Sequence, residues 1–189
     1  ARRGEGAVEP NIGWIEPPGT PAIGAAYLRL YEVTDNPIFL QAATEVGDIL
    51  LQTQLLSGGW YLLIETDPDG RSRWCYRVRV SSRQACGAIE GNEARDRTLL
   101  DDDTTQSVLR FLMWLETHVD AQVLNIRGAV LYGLDKLSKA QYPNGAWPIV
   151  SDRRPENAEL KPTGKASLPH DWPRDWVKPQ GGPFYIIND

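Results

Sequence analysis

Cysteine, histidine and long apolar runs are scarce in this chain of 189 residues, which has two cysteines and two histidines. Cys75 and Cys86 are too few for a disulfide framework or a cysteine-based zinc site, and the sequence leaves open whether they pair. His118 and His170 lack the spacing of a metal-binding pair. No apolar run approaches the roughly 20 residues that span a bilayer. We therefore expect neither a membrane protein nor a cysteine–histidine metal protein.

The charge balance is acidic, with 20 Lys plus Arg against 25 Asp plus Glu and a net charge of −5. A net acidic chain is a poor default binder of nucleic acid, so we expect no nucleic-acid partner. Seven Trp and seven Tyr in a chain that is 41% apolar are typical of a folded protein.

Apolar side chains at helical spacing predict a mainly α protein with four helices in two hairpins. The predicted helices begin at Thr20, at Asn36, near Asp103 and at about Val123, and the last ends at Ala140. Gln106 is placed like the partner of Asp103 in a capping box. The predicted inward faces carry Ile23, Ala26, Tyr27, Leu30, Phe39, Leu40, Ala43, Val46, Leu50, Leu51, Val108, Leu112, Leu115, Val119, Ile126, Val130, Leu134 and Leu137.

Each hairpin closes with the same motif, Gln-x-x-x-Gly-x-Trp, and the two copies are 87 positions apart at residues 54–60 and 141–147. A repeated helical hairpin predicts an α/α toroid or solenoid, because one hairpin cannot bury its apolar face alone. Trp60 and Trp147 should then occupy equivalent positions. Two hairpins are too few to close a ring, so we expect residues 1–189 to form a single domain with an incomplete toroid, as a fragment of a larger α/α-toroid domain.

The segment between the hairpins has a different pattern. Residues 60–64 resemble a strand, residues 67–70 carry a turn signal, and residues 71–80 alternate strictly. This pattern predicts an inserted β-hairpin with one face formed by arginines. That face is either solvated or a binding surface for an anionic ligand. Its arginines are Arg71, Arg73, Arg77 and Arg79. Residues 1–18 should be an irregular N-terminal segment, and residues 151–182 a long loop.

Three adjacent carboxylates, Asp101, Asp102 and Asp103, precede the third predicted helix. One Asp is enough to cap a helix, and the other two add repulsion. The cluster is therefore either a capping segment or a site for a hard cation such as calcium. The closing tryptophans are expected to pack over the hairpin ends. Trp147, next to Asn144, is the better candidate for stacking on a sugar.

Three segments in order resemble polysaccharide lyase family ten, the α/α-toroid pectate lyases. Residues 101–112 resemble the family's Asp-Asn-Gly-Ala-Thr…Leu-Arg-Phe-Leu segment, and residues 140–148 its Gln-Tyr-Pro-Asn-Gly-Gly-Trp-Pro segment. Residues 185–189 resemble the start of Thr-Phe-Asn-Asp-Asp. The chain departs from the pattern at Asp102-Asp103-Thr104, where the family has Asn-Gly-Ala, and at Ala146 and Ile149.

The resemblance implies calcium-assisted β-elimination of polygalacturonate or a related polyuronate by a secreted or periplasmic protein. By position, Asp101 corresponds to the acidic residue near the scissile bond, and Asp101, Asp102 and Asp189 would be metal ligands. Arg71, Arg73, Arg77, Arg79, Asn144 and Trp147 would bind the acidic polysaccharide. The family's catalytic arginine falls beyond Asp189. No signal peptide is present in this sequence, because residues 1–18 have no apolar core.

Two other interpretations remain open. The Gln-x-x-x-Gly-x-Trp closures also resemble triterpene cyclases, but Leu100 stands where their Asp-x-Asp-Asp motif has its first Asp. The chain is alternatively a non-catalytic carbohydrate-binding or structural toroid module.

Overall fold

The computed structural model describes residues 9–82, 85–86, 96–120, 125–142 and 145–151, and the backbone of residues 2–3 and 6–7. Four α-helices dominate these residues, which confirms the prediction of a mainly helical protein. They are α1 (Thr20–Thr34), α2 (Pro37–Gln52), α3 (Thr104–Glu116) and α4 (Ile126–Ala140).

Short strands pair antiparallel in three two-stranded ribbons: β1 (Arg2–Arg3) with β2 (Gly6–Ala7), β3 (Ile12–Trp14) with β4 (Leu63–Glu65), and β5 (Thr98–Leu99) with β6 (Val150–Ser151). The prediction of an irregular segment over residues 1–18 is therefore wrong for β3. Its Trp14 and the following Ile15 are buried, because β3 pairs with a strand about fifty residues later in the chain.

The described fold consists of two units with the same order of elements. Unit one comprises β3, α1, α2 and β4, and unit two comprises β5, α3, α4 and β6. The hydrogen bonds at the start of each unit also correspond: Ile15 N–H donates to the Leu62 carbonyl at 2.9 Å, and Leu100 N–H donates to the Ile149 carbonyl at 2.7 Å. In both units, therefore, the segment that leads into the first helix lies beside the strand that follows the second helix.

The two closing loops, residues 54–60 and 141–147, have matching hydrogen bonds. Gln54 Nε2 donates to the Gly58 carbonyl at 2.9 Å, and Gln141 Nε2 donates to the Gly145 carbonyl at 2.7 Å. Both glycines have a positive φ, 112° at Gly58 and 88° at Gly145, which explains why glycine stands at this position.

The closing tryptophans correspond as well. Trp60 Nε1 donates to the Leu50 carbonyl at 2.9 Å, and Trp147 Nε1 donates to the Leu137 carbonyl at 3.1 Å. Each acceptor precedes its tryptophan by ten residues. The prediction that Trp60 and Trp147 occupy equivalent positions is confirmed.

The hydrophobic core runs through both units. It contains Ile15, Leu28, Ala43, Leu50, Trp60, Ile64, Val108, Leu109, Phe111, Leu112, Leu115, Ile126 and Val130. Phe111 of α3 packs closely against α1, since a Cβ added at Gly24 would lie 2.4 Å from its ring. A residue without a side chain is therefore what lets α1 and α3 approach each other.

The helix starts follow the sequence with some shifts. Asn36 caps α2 by accepting from Ile38 N–H at 3.1 Å, and Asn125 caps α4 by accepting from Gly128 N–H at 3.1 Å. Gly19, rather than Thr20, is the N-cap of α1. Leu134 is exposed, as are Ile23, Leu30 and Ala26, so the predicted inward faces of α4 and α1 are partly wrong.

The inserted β-hairpin is not found, and this prediction is wrong. Residues Gly70–Arg73 form a short 3-10 helix, and residues 77–79 form a turn. Cys75 and Tyr76 are adjacent and both fully buried, which strict alternation does not allow. Cys75 forms a disulfide with Cys86, and the backbone of residues 75–77 pairs with residues 54–56 of the first closing loop. The alternating pattern therefore belongs to a covalently closed segment that folds over this loop.

Candidate functional site

Residues 101–103, the acidic turn, connect β5 to α3 through two consecutive residues with positive φ, 46° at Asp102 and 57° at Asp103. Thr104 N–H donates to the Asp101 carbonyl at 3.0 Å, and Asp102 N–H donates to Asp101 Oδ1 at 3.1 Å. Aspartate tolerates this left-handed conformation better than most residues with a side chain. The turn is therefore a defined local structure rather than an extension of the helix.

The predicted capping box at the start of α3 is wrong. Asp103 is the N-cap residue, but its side chain accepts no capping hydrogen bond and pairs instead with Arg110 on the next turns of α3. Gln106 Nε2 donates to the Leu100 carbonyl at 2.9 Å. The side chain of Gln106 thus fixes the backbone of Leu100, which precedes the acidic turn. The guanidinium group of Arg110 forms an ion pair with the carboxylate of Asp103. Asp101 is partly exposed and Asp102 is exposed.

The acidic turn lies between the ends of the two closing loops. Leu99 N–H donates to the Trp60 carbonyl at 2.8 Å, and the next residue, Leu100, donates to the Ile149 carbonyl at 2.7 Å. β5 is thereby held on one side by the end of the first closing loop and on the other by the segment after Trp147. The residue before the acidic turn, Leu100, is thus bonded to Ile149, two residues after Trp147.

The two closing tryptophans differ in exposure. Trp60 is fully buried in the core, whereas 47% of Trp147 is exposed. The indole N–H of Trp147 is satisfied by the Leu137 carbonyl. Trp147 therefore presents an apolar surface to solvent from a position fixed by a hydrogen bond, which is the arrangement that stacking on a ligand requires.

The four arginines predicted to form one face contact different partners. Arg71 donates to the Thr66 carbonyl at 2.9 Å and to Gln52, and Arg79 donates to the Pro68 carbonyl at 2.9 Å. Arg73 pairs with the buried Glu65 at 3.5 Å. The guanidinium of Arg77 lies 4.8 Å from the ring centre of Tyr132 in α4.

These contacts assign the arginines different structural tasks. Arg71 and Arg79 hold the loop of residues 66–79 together, and Arg77 joins the insertion to unit two. Arg73 has 63% of its side chain exposed to solvent. These arginines therefore do not line one face of a strand, since residues 70–73 form a 3-10 helix and residues 77–79 a turn.

Sequence reasoning missed a buried polar network under the first closing loop. Thr98 Oγ1 lies 2.9 Å from Ser57 Oγ and accepts from Gly59 N–H at 2.8 Å. Thr105 Oγ1 accepts from Trp60 N–H at 3.2 Å, and the side chain of Asp96 accepts from Ser57 N–H at 2.7 Å. Thr98 in a strand and Thr105 at a helix start are common in such positions, so the sequence gives no indication that they bond to this loop. The network satisfies the backbone of a buried loop and so fixes β5 and the acidic turn.

Two predicted site residues, Asn144 and Asp189, lie outside the described residues. So does the predicted long loop after Ser151. Within the described ranges, no group of three or more His, Cys, Asp or Glu side chains is arranged to hold a metal ion. The acidic turn offers the oxygen donors that calcium prefers through Asp101 and Asp102, while Asp103 is engaged by Arg110.

The chain matches no known protein family, no curated protein and no solved structure in the three comparisons made. None of the helices among the described residues is long and apolar enough to cross a membrane. The Cys75–Cys86 disulfide is of the kind found in proteins exposed to oxidising compartments.

Proposed function

We propose that this chain contributes part of an α/α toroid that cleaves polygalacturonate, or a related polyuronate, by calcium-assisted β-elimination. The observation that carries the proposal is the position of the acidic turn between the two closing loops. The backbone bonds of Leu99 and Leu100 hold it there. A pair of carboxylates and an exposed Trp147 on neighbouring segments supports binding of a charged sugar.

The residues of the acidic turn have distinct roles in this proposal. Asp101 and Asp102 hold the cation through their carboxylate oxygens, which are the ligands that calcium prefers. Asp101 also stands next to the reacting sugar. Calcium, when bound, neutralises the uronate carboxylate and stabilises the negative charge that develops as the C5 proton is removed. Gln106 acts as a positioning residue, because its bond to the Leu100 carbonyl fixes the residue before Asp101.

Trp147 stacks on a sugar ring of the bound polymer in this proposal. Its fixed indole loses little conformational freedom on binding, which favours a stacking contact. Asn144 and Asp189 are assigned to substrate and cation by the resemblance of the sequence alone.

The toroid itself is also part of the proposal. Two units with the same order of elements and the same loop closure support a repeat architecture. The disulfide supports a secreted or periplasmic location, where thiols are oxidised.

The test replaces Asp101 by Asn in the intact protein. Asn is about as good as Asp at turns and helix starts and removes one negative charge, so folding should be almost unchanged. We expect turnover to fall by several orders of magnitude, measured as the ultraviolet absorbance of the unsaturated uronate product. The activity should also disappear with a chelator.

Ser107→Ala, four residues after Asp103 on α3, is a control that should leave turnover within about twofold. Product that forms in the presence of a chelator would contradict the proposal. If the unsubstituted protein binds polygalacturonate and forms no product, the exposed Trp147 favours the second candidate, a non-catalytic carbohydrate-binding module.

A further inference from the structure

Three aromatic rings form a continuous group at the junction of unit one and the insertion. The rings of Trp74 and Tyr76 are nearly parallel, at 3°, with centres 5.6 Å apart. The ring of Tyr61 lies 6.4 Å from that of Trp74 at 46°. We refer to Tyr61, Trp74 and Tyr76 as the aromatic shelf. Tyr76 is fully buried, whereas Trp74 and Tyr61 are partly exposed.

The exposed side of the shelf follows from this burial. The buried ring of Tyr76 covers one face of the Trp74 indole, so solvent reaches Trp74 from the opposite face or from its edge. Tyr61 lies beside it at an angle. Together the two rings, inclined by 46° to each other, present an apolar surface against which a sugar ring can pack.

The shelf is fixed from below and from the side. Tyr76 Oη accepts from Glu65 N–H at 2.8 Å, and the backbone of Tyr76 bridges to Leu55. Cys75, between the two stacked residues, is held by the disulfide to Cys86, and its carbonyl accepts from Leu56 N–H at 2.8 Å. A surface that is already ordered loses little entropy when a ligand binds.

A charged group adjoins the shelf. Arg73 precedes Trp74 in the chain, and 63% of its side chain is exposed while it pairs with Glu65 at 3.5 Å. A guanidinium group recognises a carboxylate through paired hydrogen bonds. An aromatic surface with an arginine at its side therefore matches a sugar that carries an acid group.

The shelf and the acidic turn are connected through one backbone hydrogen bond between their neighbours in the chain. Tyr61 follows Trp60, whose carbonyl accepts from Leu99 N–H, and Asp101 is two residues beyond Leu99. A polymer chain bound at the acidic turn therefore has the shelf within reach of sugars outside the reacting one.

We propose that the aromatic shelf is a second binding site for an acidic polysaccharide, in which Trp74 and Tyr61 pack on sugar rings and Arg73 pairs with a uronate carboxylate. This inference rests on the proposed function for the identity of the sugar. The inference gives the insertion a role in binding substrate. The binding residues are Tyr61, Arg73 and Trp74.

The experiment measures binding of oligogalacturonates to the full chain by isothermal titration calorimetry in the presence of a chelator, where no cleavage is expected. Trp74→Leu and Tyr61→Leu should each weaken binding by about tenfold. Trp74→Phe keeps an aromatic ring and should weaken binding by less than about threefold. Arg73→Gln should weaken binding at low salt and reduce its salt dependence.

Trp114→Leu is the control matched to Trp74→Leu, because Trp114 is a partly exposed tryptophan at the far end of α3, where it donates to Glu32. It should bind like the unsubstituted protein. Far-UV circular dichroism establishes that each variant is folded. If Trp74→Leu does not fold, Tyr61→Leu and Arg73→Gln still test the shelf.

The outcomes separate this inference from the proposed function. Loss of binding in the shelf variants, together with an intact protein that forms no unsaturated product in the presence of calcium, would support the shelf and contradict the lyase. Normal binding and turnover in all shelf variants would support the lyase and overturn the shelf. Failure of the unsubstituted protein to bind oligogalacturonates, or equal binding of a neutral hexose oligomer, would also overturn it.

Discussion

Gln54 and Gln141 occupy the same position in the two closing loops but make different numbers of described contacts. Both side-chain amides donate to the glycine carbonyl four residues later. Gln54 is fully buried and also donates to the Ala129 carbonyl of α4 at 2.9 Å, so it joins unit one to unit two. Gln141 is partly exposed, and among the described residues it donates to its own loop. The same residue therefore has a local task in one copy and a long-range task in the other.

We expect Gln54→Leu to lower the free energy of unfolding by about 1–3 kcal/mol, because it leaves two buried carbonyls without their donor. Gln141→Leu should cost about 0.5–1 kcal/mol, since water can reach its loop. Urea denaturation followed by circular dichroism measures both values. Equal losses in the two variants would contradict the different tasks assigned to the two glutamines.

Residues that act through local rules were predictable from the sequence. Asn36 before a proline and an apolar periodic run indicates a helix start, and Gly58 and Gly145 stand where the backbone needs a positive φ. The fate of Asp103 was not predictable in the same way. Its carboxylate has Arg110 within reach seven residues later, and this pair replaces the capping hydrogen bond that the local pattern favours.

At the scale of elements, the insertion is held to unit one by both covalent and backbone bonds. Arg77 N–H donates to the Gln54 carbonyl at 2.8 Å, and Leu56 N–H donates to Cys75, whose sulfur is bonded to Cys86. The insertion therefore covers the first closing loop, and its disulfide restrains it in this position. The second closing loop has no such cover among the described residues, in agreement with the exposure of Trp147.

Replacing both Cys75 and Cys86 by Ala should lower the free energy of unfolding by about 2–3 kcal/mol, because a short closed loop regains its freedom in the unfolded chain. The four helices should keep their signal in far-UV circular dichroism, since none of them contains either cysteine. Denaturation of the unsubstituted protein with and without a reductant provides the control. A double variant as stable as the oxidised protein would contradict a restraining role.

The helices were predictable because their apolar residues recur at helical spacing, and the predicted β-hairpin failed for a physical reason. Alternation indicates a strand only when one face of the segment is buried. Here the burial of Cys75 and Tyr76 is decided by the disulfide and by the closing loop beneath them. Likewise, the exposure of Ile23 and Leu30 depends on which side of α1 receives α3, and the spacing within α1 carries no information on that.

At the scale of the whole molecule, the two units share one core. Phe111 of α3 is 3% exposed and lies against Gly24 of α1, where a side chain would collide with it. At the far end of the same helices, Glu32 accepts from Trp114 Nε1 at 3.0 Å and pairs with His118 at 3.1 Å. The interface between α1 and α3 is thus apolar in its centre and polar at one end.

We expect Phe111→Ala to lower the free energy of unfolding by about 3–5 kcal/mol, because it removes a large buried ring between the units. Both units should still unfold together in one transition. Met113→Ala, at an exposed position on the same helix, should cost less than about 1 kcal/mol.

Denaturation followed in parallel by tryptophan fluorescence and circular dichroism measures the loss and the number of transitions. Two separate transitions in the unsubstituted protein would show that the units are independent and would contradict a shared core.

The pairing of β3 with β4, and of β5 with β6, has a consequence for how such a chain changes during evolution. Each unit returns to the edge where it began, and the carbonyl of Trp60 at that edge binds Leu99, where the next unit starts. An in-frame duplication or deletion of one whole unit therefore leaves the path of the neighbouring polypeptide unchanged. Recombination between the two copies of the Gln-x-x-x-Gly-x-Trp motif would join the closing loop of one unit to the strand that follows the other. Genetic exchange can therefore change the number of units without requiring a new connecting loop.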